Sequence, residues 1–289
     1  MDSQVASANQ EAVDAWDGVL FDRFVRYRDL MMDGLAPFGE ESYRVCPPEP
    51  GSRVLDVGCG FGDSTQRLAE LVGAGGEAVG VDSSARFIET ARAEAEQAGV
   101  ANASFAVADV QAGDLGGPYD AVYSRFGTMF FASPVAALRN IREALAPGGC
   151  LCMVVWRRKE DNHWVPRAES VVKGMVTEDE DSDELTCGPG PFSMANADTT
   201  TAVTLTAGFE HVSLTRCDRR WSLGSMDQAV DLALAIGPAG EAIRLAGEDA
   251  DRQRPRIVAA VREAFGDLVD GDGVSTNVST WIVTARAPA

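Results

Sequence analysis

Residues 53–65, RVLDVGCGFGDST, constrain the fold most, because three glycines follow directly after a short apolar run. The apolar, β-branched first half of this stretch predicts a buried β-strand. Gly58, Gly60 and Gly62 predict a tight loop, since glycine tolerates positive φ and lets another molecule approach the backbone. Helix-capping side chains at 63–65 then predict a helix. A strand, a glycine loop and a helix in this order are typical of a nucleotide-binding corner, although any tight turn in an α/β protein could use the same glycines.

The glycine loop fits neither of the two common phosphate-binding patterns. A dinucleotide fingerprint requires a glycine at the sixth position, where this chain has Asp63. A P-loop requires a lysine before Ser or Thr, and no lysine stands in the loop. The pattern is instead Asp-x-Gly-x-Gly-x-Gly beginning at Asp56, which disfavours a nicotinamide-dependent oxidoreductase.

Predicted strands alternate with predicted helices across residues 53–156. After the first strand, two further strands are expected to end at Asp82 and Asp109, and two more are expected at 119–126 and 150–156. This alternation predicts a parallel, doubly wound sheet.

The segments on either side of this core follow a different pattern. Apolar residues recur at helical spacing over 11–46, and prolines at 47, 48 and 50 end that segment. Beyond residue 156 we expect two helices within 226–268 and two further strands, at about 211–221 and 275–287. The chain therefore divides into a helical cap segment over 1–48, a core over 49–156, a cap insertion over 157–200, and a remainder over 201–289 that carries a helical insertion at 226–270.

The composition argues against two classes of partner. A formal net charge of −19 repels a phosphate backbone, so we expect no nucleic-acid partner. No apolar run approaches the roughly 18 residues of a membrane span, and the polar N-terminus lacks the core of a signal peptide. The six cysteines lack metal-type spacing and are expected to be buried, reduced thiols. These features predict a cytoplasmic protein and leave a monomer and a homodimer open.

Five motifs in order carry a family resemblance: VLDVGCGFG, GVDSS, ADV, YDAVYSRFGTMFF and REALAPGGCLCMVVW. Together they resemble the class I S-adenosylmethionine (SAM) dependent methyltransferases, and in particular the ubiquinone/menaquinone-biosynthesis type with small-molecule substrates. The resemblance is strong over about 50–156 and weaker towards the C-terminus. It implies a Rossmann-like, doubly wound, seven-stranded sheet, mostly parallel with an antiparallel last strand, beneath a helical cap.

The resemblance implies SAM as cofactor, with S-adenosylhomocysteine as product, bound at the carboxyl edge of the sheet. Asp82 is expected to accept both ribose hydroxyls, and Asp109 with Val110 to meet the adenine. For both aspartates, capping of a turn or helix is the alternative role. The full set of expected cofactor residues is Asp56, Gly58, Cys59, Gly60, Asp82, Ser83, Asp109, Val110 and Ser124.

An aromatic pocket for the methyl acceptor is expected beside the cofactor, although any of its members could instead pack in the core. Its candidates are Trp16, Phe126, Phe130, Trp156 and Trp164, with Trp221 from the later part of the chain. His163, Tyr123 and Arg125 are the candidate catalytic residues, and Arg125 could equally hold a structural ion pair. No clustered histidines or carboxylates have metal-ligand spacing, so we expect no metal.

The expected reaction is methyl transfer to oxygen or carbon of a small, largely apolar metabolite, possible classes being aromatic, quinone or polyketide-like compounds. Six acids within 178–184 could instead attract a cationic amine and favour N-methylation, or form a solvated loop. A non-catalytic SAM-binding protein is the third alternative. The end of the fourth strand, Tyr123-Ser124-Arg125-Phe126, lacks the motifs of enzymes that methylate DNA bases.

Overall fold

The central element is a twisted sheet, seen in a computed structural model that describes residues 2–177 and 188–289. The strands lie in the order β3-β2-β1-β4-β5-β8-β6, and the short β7 pairs only with β8. Strands β1 to β5 are mutually parallel, whereas β8 runs antiparallel to both β5 and β6. This confirms the predicted fold class. The strands are β1 Arg53–Val57, β2 Glu77–Asp82, β3 Ala103–Val107, β4 Tyr119–Arg125, β5 Leu145–Trp156, β6 Glu210–Ser222, β7 Val269–Asp270 and β8 Gly273–Arg286.

Helices cover both faces of the sheet and its carboxyl edge. In chain order they are α1 Asp2–Ala15, a π-helical turn Trp16–Leu20, α2 Phe21–Arg26, α3 Arg28–Val45, α4 Asp63–Val72, α5 Ala85–Ala98, α6 Pro134–Ala144, α7 Trp164–Lys173, α8 Ala197–Thr206, α9 Met226–Ala235, α10 Gly237–Ala246 and α11 Glu248–Ala264. Among the described residues, no helix is both long and apolar enough to cross a bilayer.

Four boundaries differ from the sequence-based expectations, and one of them is the start of β5, at Leu145 instead of residue 150. The insertion after β6 forms three helices rather than two, because Gly237 and Gly247 adopt positive φ and break the run. β3 ends at Val107, so Asp109 lies in the loop beyond the strand. The N-terminal helical segment bends at Gly18, whose backbone is not helical.

The described cysteines are buried in the fold. Cys59, Cys152 and Cys217 are free and buried. The sulfur atoms of Cys46 and Cys150 are in contact, while their Cα atoms are 7.6 Å apart, wider than the usual separation across a disulfide. The reduced state of this pair stays a prediction.

Candidate functional site

A cavity of about 610 Å³ lies at the carboxyl edge of the sheet. The glycine loop and the ends of β2 and β4 form its floor, the segment after β3 adds to it, and the N-terminal helices, α7, α9 and α10 supply further walls. Parallel strands bring their carboxyl ends to one edge, which is where ligands of doubly wound sheets bind. The cavity is therefore the candidate functional site.

The glycine loop needs its glycines for close packing as well as for conformation. Gly58, Gly60 and Gly62 have φ of 69°, 53° and 81°. A Cβ added at Gly58 would lie 2.9 Å from the Cα of Gly127, so the loop and the segment after β4 touch backbone to backbone. Gly58, Gly60 and the intervening Cys59 line the cavity as expected. A ligand can therefore lie directly against this backbone.

Asp82 lines the cavity at the end of β2 with its carboxylate already oriented. Oδ2 accepts from the Gly60 N–H at 3.0 Å, and Oδ1 accepts from the Ser84 N–H at 3.0 Å. Burial raises the pKa of this carboxyl above its usual value, and the backbone donors oppose that shift. A carboxylate has about four acceptor sites, and the backbone N–H groups of Gly60, Ser84 and Ser83 leave capacity for a ligand. Two adjacent hydroxyls, as on ribose, match this arrangement.

The remaining residues of the predicted adenosine end also line the cavity: Ser83, Asp109 and Val110. Asp109 Oδ1 accepts from the backbone N–H of Gln111 at 3.0 Å, which is the turn-closing role named as its alternative. Together with Asp82 and the glycine loop, these residues fit a nucleoside that carries no phosphate, because the Asp82 and Asp109 carboxylates would repel a phosphate group.

Asp56 and Ser124 do not line the cavity, which corrects the expectation for their side chains. Asp56 Oδ2 accepts from Ser64 Oγ and Thr65 Oγ1, both at 2.7 Å, and ties β1 to α4. Asp56 Oδ1 has no partner, and burial raises the pKa of the carboxyl to about 6. Ser124 Oγ donates to the Val57 carbonyl at 2.8 Å. Both residues act beneath the loop, by supporting it.

Two of the three candidate catalytic residues lie outside the cavity. Tyr123 is buried, and its hydroxyl donates to the Cys46 carbonyl at 2.9 Å, behind the sheet edge. Burial raises the pKa of Tyr123. His163 is solvent-exposed immediately before α7 and does not line the cavity. The structure therefore supports neither residue as a base.

Arg125 does line the cavity, and it forms an ion pair. Its Nη2 donates to Asp63 Oδ2 at 2.5 Å. An ion pair is the alternative role expected for Arg125. Its partner, Asp63, begins α4 and occupies the sixth position of the glycine pattern, and neither feature of the sequence points to Arg125.

Aromatic rings form much of the rest of the cavity lining. Trp16, Phe126, Phe130, Trp156 and Trp164 all line it, as does Trp221. The Phe126 and Trp156 ring centroids are 4.4 Å apart, and Trp156 is nearly parallel to Trp221, at 6.4 Å. Phe126 has a φ of 63°, an outlier for a bulky residue, directly after β4. The aromatic part of the lining suits a flat, apolar ligand.

Other charged groups that line the cavity are engaged by the protein. Lys159 Nζ donates to both carboxylate oxygens of Glu169, at 2.9 and 2.7 Å. Glu241 accepts from Arg244 at 2.6 and 3.0 Å. The Lys159–Glu169 pair joins two separate elements, and no motif in the sequence marks it. Glu241 and Arg244 have the i,i+3 spacing typical of an ion pair on one helix.

Asp17 fastens the N-terminal helices beside Asp82. Its Oδ1 accepts from the Arg86 N–H at 2.9 Å and from Ser84 Oγ at 2.7 Å, at the start of α5. These bonds, led by the one from the Arg86 backbone, lower the pKa of Asp17. On the other side, Arg23 Nη1 donates to the Ala235 carbonyl at the end of α9, at 3.0 Å. The N-terminal helices thus span the cavity from α5 to α9.

Two further expectations concern metal binding and the acidic run at 178–184. Residues 2–177 and 188–289 hold no group of three or more His, Cys, Asp or Glu that could bind a metal ion. The acidic run at 178–184 lies outside the described residues, so its proposed attraction for a cation has no structural counterpart here.

Comparison with known proteins assigns the core to one family. A family model described as "Methyltransferase domain" matches residues 48–201. Aklanonic acid methyltransferase DauC of a Streptomyces species is 34% identical over 124 residues, which cover 43% of this chain and 56% of DauC. The UbiE C-methyltransferase of ubiquinone/menaquinone biosynthesis from Shewanella oneidensis is 30% identical over 201 residues, 65% of this chain and 78% of UbiE.

A third relative is the ubiquinone biosynthesis O-methyltransferase of Roseobacter denitrificans, 30% identical over 157 residues and 49% of this chain. The chain spans 56% of DauC and 62% of this third relative.

Solved structures share the fold. The YcgJ protein of Bacillus subtilis aligns with a TM-score of 0.54 at 16% identity, over 89% of this chain and 99% of YcgJ. A phosphoethanolamine N-methyltransferase of Haemonchus contortus, solved with S-adenosyl-L-methionine, aligns with a TM-score of 0.51 at 18% identity, over 88% of this chain and 53% of that one. At these identities the likeness shows the architecture alone.

Proposed function

The chain belongs to the methyltransferase-domain family, and on that premise we propose that it transfers a methyl group from SAM to oxygen or carbon of a small, largely apolar metabolite. When bound, SAM supplies a methyl group already activated on a sulfonium. The observation that carries the proposal is a single cavity lined both by Asp82 with the glycine loop and by an aromatic wall, made of Trp16, Phe126, Phe130, Trp156, Trp164 and Trp221.

The protein's part in this reaction is to bind, to orient and to exclude water. Asp82 and Ser83 would hold the ribose, with Asp109 and Val110 at the adenine and the backbone of Gly58–Cys59–Gly60 along the methionine portion. Phe126 and Trp156 would orient the acceptor against the cofactor. None of these roles uses a metal.

The aromatic wall and the relatives favour a ring-bearing acceptor. Trp156, Trp164 and Trp221 all line the cavity, with Trp156 nearly parallel to Trp221 and Trp164 edge to face with it. Relatives that the chain matches are named for aklanonic acid, ubiquinone and menaquinone. We propose an aromatic, quinone or polyketide-like acceptor. The net charge of −19 argues against nucleic acid, and the cytoplasm, which supplies SAM, is the proposed location.

A methylation screen tests the proposed function. Purified protein is incubated with SAM and a library of aromatic, quinone and polyketide compounds, and the products are measured by mass spectrometry. The expected result is an acceptor heavier by one CH₂ unit together with an equal amount of S-adenosylhomocysteine. Binding of SAM with no methylated product from any library member would favour the non-catalytic alternative.

A further inference from the structure

Arg125 carries hydrogen-bond donors that no described residue uses. It ends β4, its side chain is 12% exposed, and it lines the cavity. Nη2 donates to Asp63 and lies 3.8 Å from Met32 Sδ. A guanidinium has five N–H donors. The N–H groups on Nε and Nη1 donate to no acceptor among the described residues. Neither nitrogen is among the fully buried polar atoms that lack a hydrogen-bond partner, so both keep some solvent exposure. These donors are therefore accessible from the cavity.

The surroundings of Arg125 contain no evident proton acceptor for a neutral substrate. No histidine or tyrosine is among the described residues that line the cavity. Lys159 and Glu241 are ion-paired with Glu169 and Arg244. Asp63 is held by Arg125 itself. Asp82 and Asp109 also line the cavity, and they are the carboxylates proposed to hold the cofactor. Among the described lining residues, no further carboxylate, histidine or tyrosine is left to act as a general base for an alcohol or amine acceptor, whereas a fixed cation with spare donors is present.

We propose that Arg125 binds the methyl acceptor as an oxyanion, so that the substrate is an acid: a carboxylic acid, a phenol or an enol. This inference rests on the proposed function. A planar guanidinium fork matches an oxyanion in charge and geometry. Methyl transfer from a sulfonium to an anion forms one bond to the methyl carbon and returns the sulfur–carbon electron pair to sulfur. Both products are neutral, so no protein group has to accept a proton.

Asp63 has a defined part in this proposal, since its carboxylate offsets the charge of Arg125. The single change Asp63→Asn leaves the guanidinium uncompensated and should strengthen its hold on an anion. A pair that served only to stabilise the fold would not produce that gain. Arg125→Gln alone would leave the Asp63 carboxylate without its cation. The double variant Arg125→Gln/Asp63→Asn therefore removes the cation and replaces the ion pair with two neutral side chains.

The test uses 1-naphthoate and 1-naphthamide, a matched acid and neutral amide, titrated calorimetrically onto the complex with S-adenosylhomocysteine. The wild type is expected to bind naphthoate at least about tenfold more tightly than naphthamide, the effect of one charge-assisted hydrogen bond. Asp63→Asn should widen this ratio severalfold, and the double variant should abolish it. Arg67→Gln, which breaks a surface ion pair with Glu40, should leave it unchanged.

Equal binding of the two probes by the wild type, or no binding of naphthoate, overturns the proposal. So does a preference that survives in the double variant. The carboxylate of the cofactor's methionine portion could also bind Arg125. Separate titrations of S-adenosylhomocysteine and of its decarboxylated analogue test for this. If the double variant loses only the carboxylate-bearing cofactor product, Arg125 holds the cofactor instead, and the inference fails while the proposed function stands. If the wild type binds no S-adenosylhomocysteine, both fail.

Discussion

The carboxylate of Asp82 accepts a hydrogen bond of 3.0 Å from the backbone N–H of Gly60, which joins the end of β2 to the glycine loop. The same carboxylate accepts from Ser84 at the start of α5. One side chain therefore sets the relative position of three elements at the floor of the cavity. The Asp82 carboxylate can also accept hydrogen bonds from a ligand in the cavity. The geometry of the glycine loop and the binding of a ligand therefore depend on the same group.

Asp56 should make the protein less stable as the pH rises from about 4 to about 6. Burial raises the pKa of its carboxyl to about 6 in the folded state, above the usual value of about 3.9 for an aspartate, so the folded chain holds the proton more tightly. Asp56→Asn keeps an oxygen for Ser64 and Thr65 and removes the charge. Across this range the free energy of unfolding of the variant should rise relative to wild type by on the order of 2–3 kcal/mol.

Urea denaturation of both proteins without ligand, at several pH values, measures the Asp56 effect. A difference between the two proteins that stays constant from about pH 4 to about pH 6 would contradict this prediction for Asp56.

Gly34→Ala should displace Trp221, although alanine favours a helix over glycine by about 1 kcal/mol. A Cβ at Gly34 would lie 2.0 Å from Trp221 Nε1, which donates to the Leu30 carbonyl. The indole must shift, which should lower thermal stability and alter tryptophan fluorescence. Gly39→Ala on the same helix meets its nearest atom at 3.4 Å and is the control, expected to be neutral or stabilising. Equal behaviour of the two variants would show that Trp221 is free to move.

Trp164→Ala should impair acceptor methylation while SAM affinity stays within about twofold, because the two ligands use different walls of the cavity. Trp164 lines the cavity and meets Trp221 edge to face, at 5.8 Å. Loss of a buried ring also costs roughly 3–5 kcal/mol of stability, so turnover is measured per folded molecule. Trp281→Ala removes a tryptophan that lies outside the cavity lining and serves as the control. A Trp164→Ala protein that is folded and fully active would remove Trp164 from the acceptor site.

The motifs were sufficient to locate the loop, the ends of β2 and β5 and the aromatic residues of the cavity, because each is set by local chemistry. They were insufficient for Ser124, Tyr123 and Asp56, whose side chains meet Val57, Cys46 and Ser64 instead of the cavity. A residue's position at the end of a strand does not determine which neighbouring group its side chain contacts. The Arg125–Asp63 pair joins residues 62 positions apart, and no local pattern connects them.

The N-terminal helices and the cap insertion should protect the cavity more strongly when SAM is bound. Hydrogen exchange over 2–45, 157–177 and 188–200 is expected to slow on adding SAM, since a site closed over its cofactor must open to load. Asp17→Asn weakens the attachment to α5 and should speed exchange in the N-terminal helices of the free protein. Asp14→Asn is the control and should not, because the Asp14 carboxylate accepts from Gln10 on its own helix. Equal protection with and without SAM would argue against closure.

Calorimetric titration of SAM into wild type, Asp82→Ala and Asp114→Ala tests the central claim most directly. Asp114 also accepts a backbone N–H two residues on, from Gly116 at 2.8 Å, but it does not line the cavity. We predict binding to wild type and Asp114→Ala with equal affinity, and binding at least about tenfold weaker to Asp82→Ala, since each lost charge-assisted bond costs roughly 1.5–3 kcal/mol. Circular dichroism checks that all three are folded. Unchanged affinity in a folded Asp82→Ala protein, or no binding of SAM to the wild type, would contradict the account.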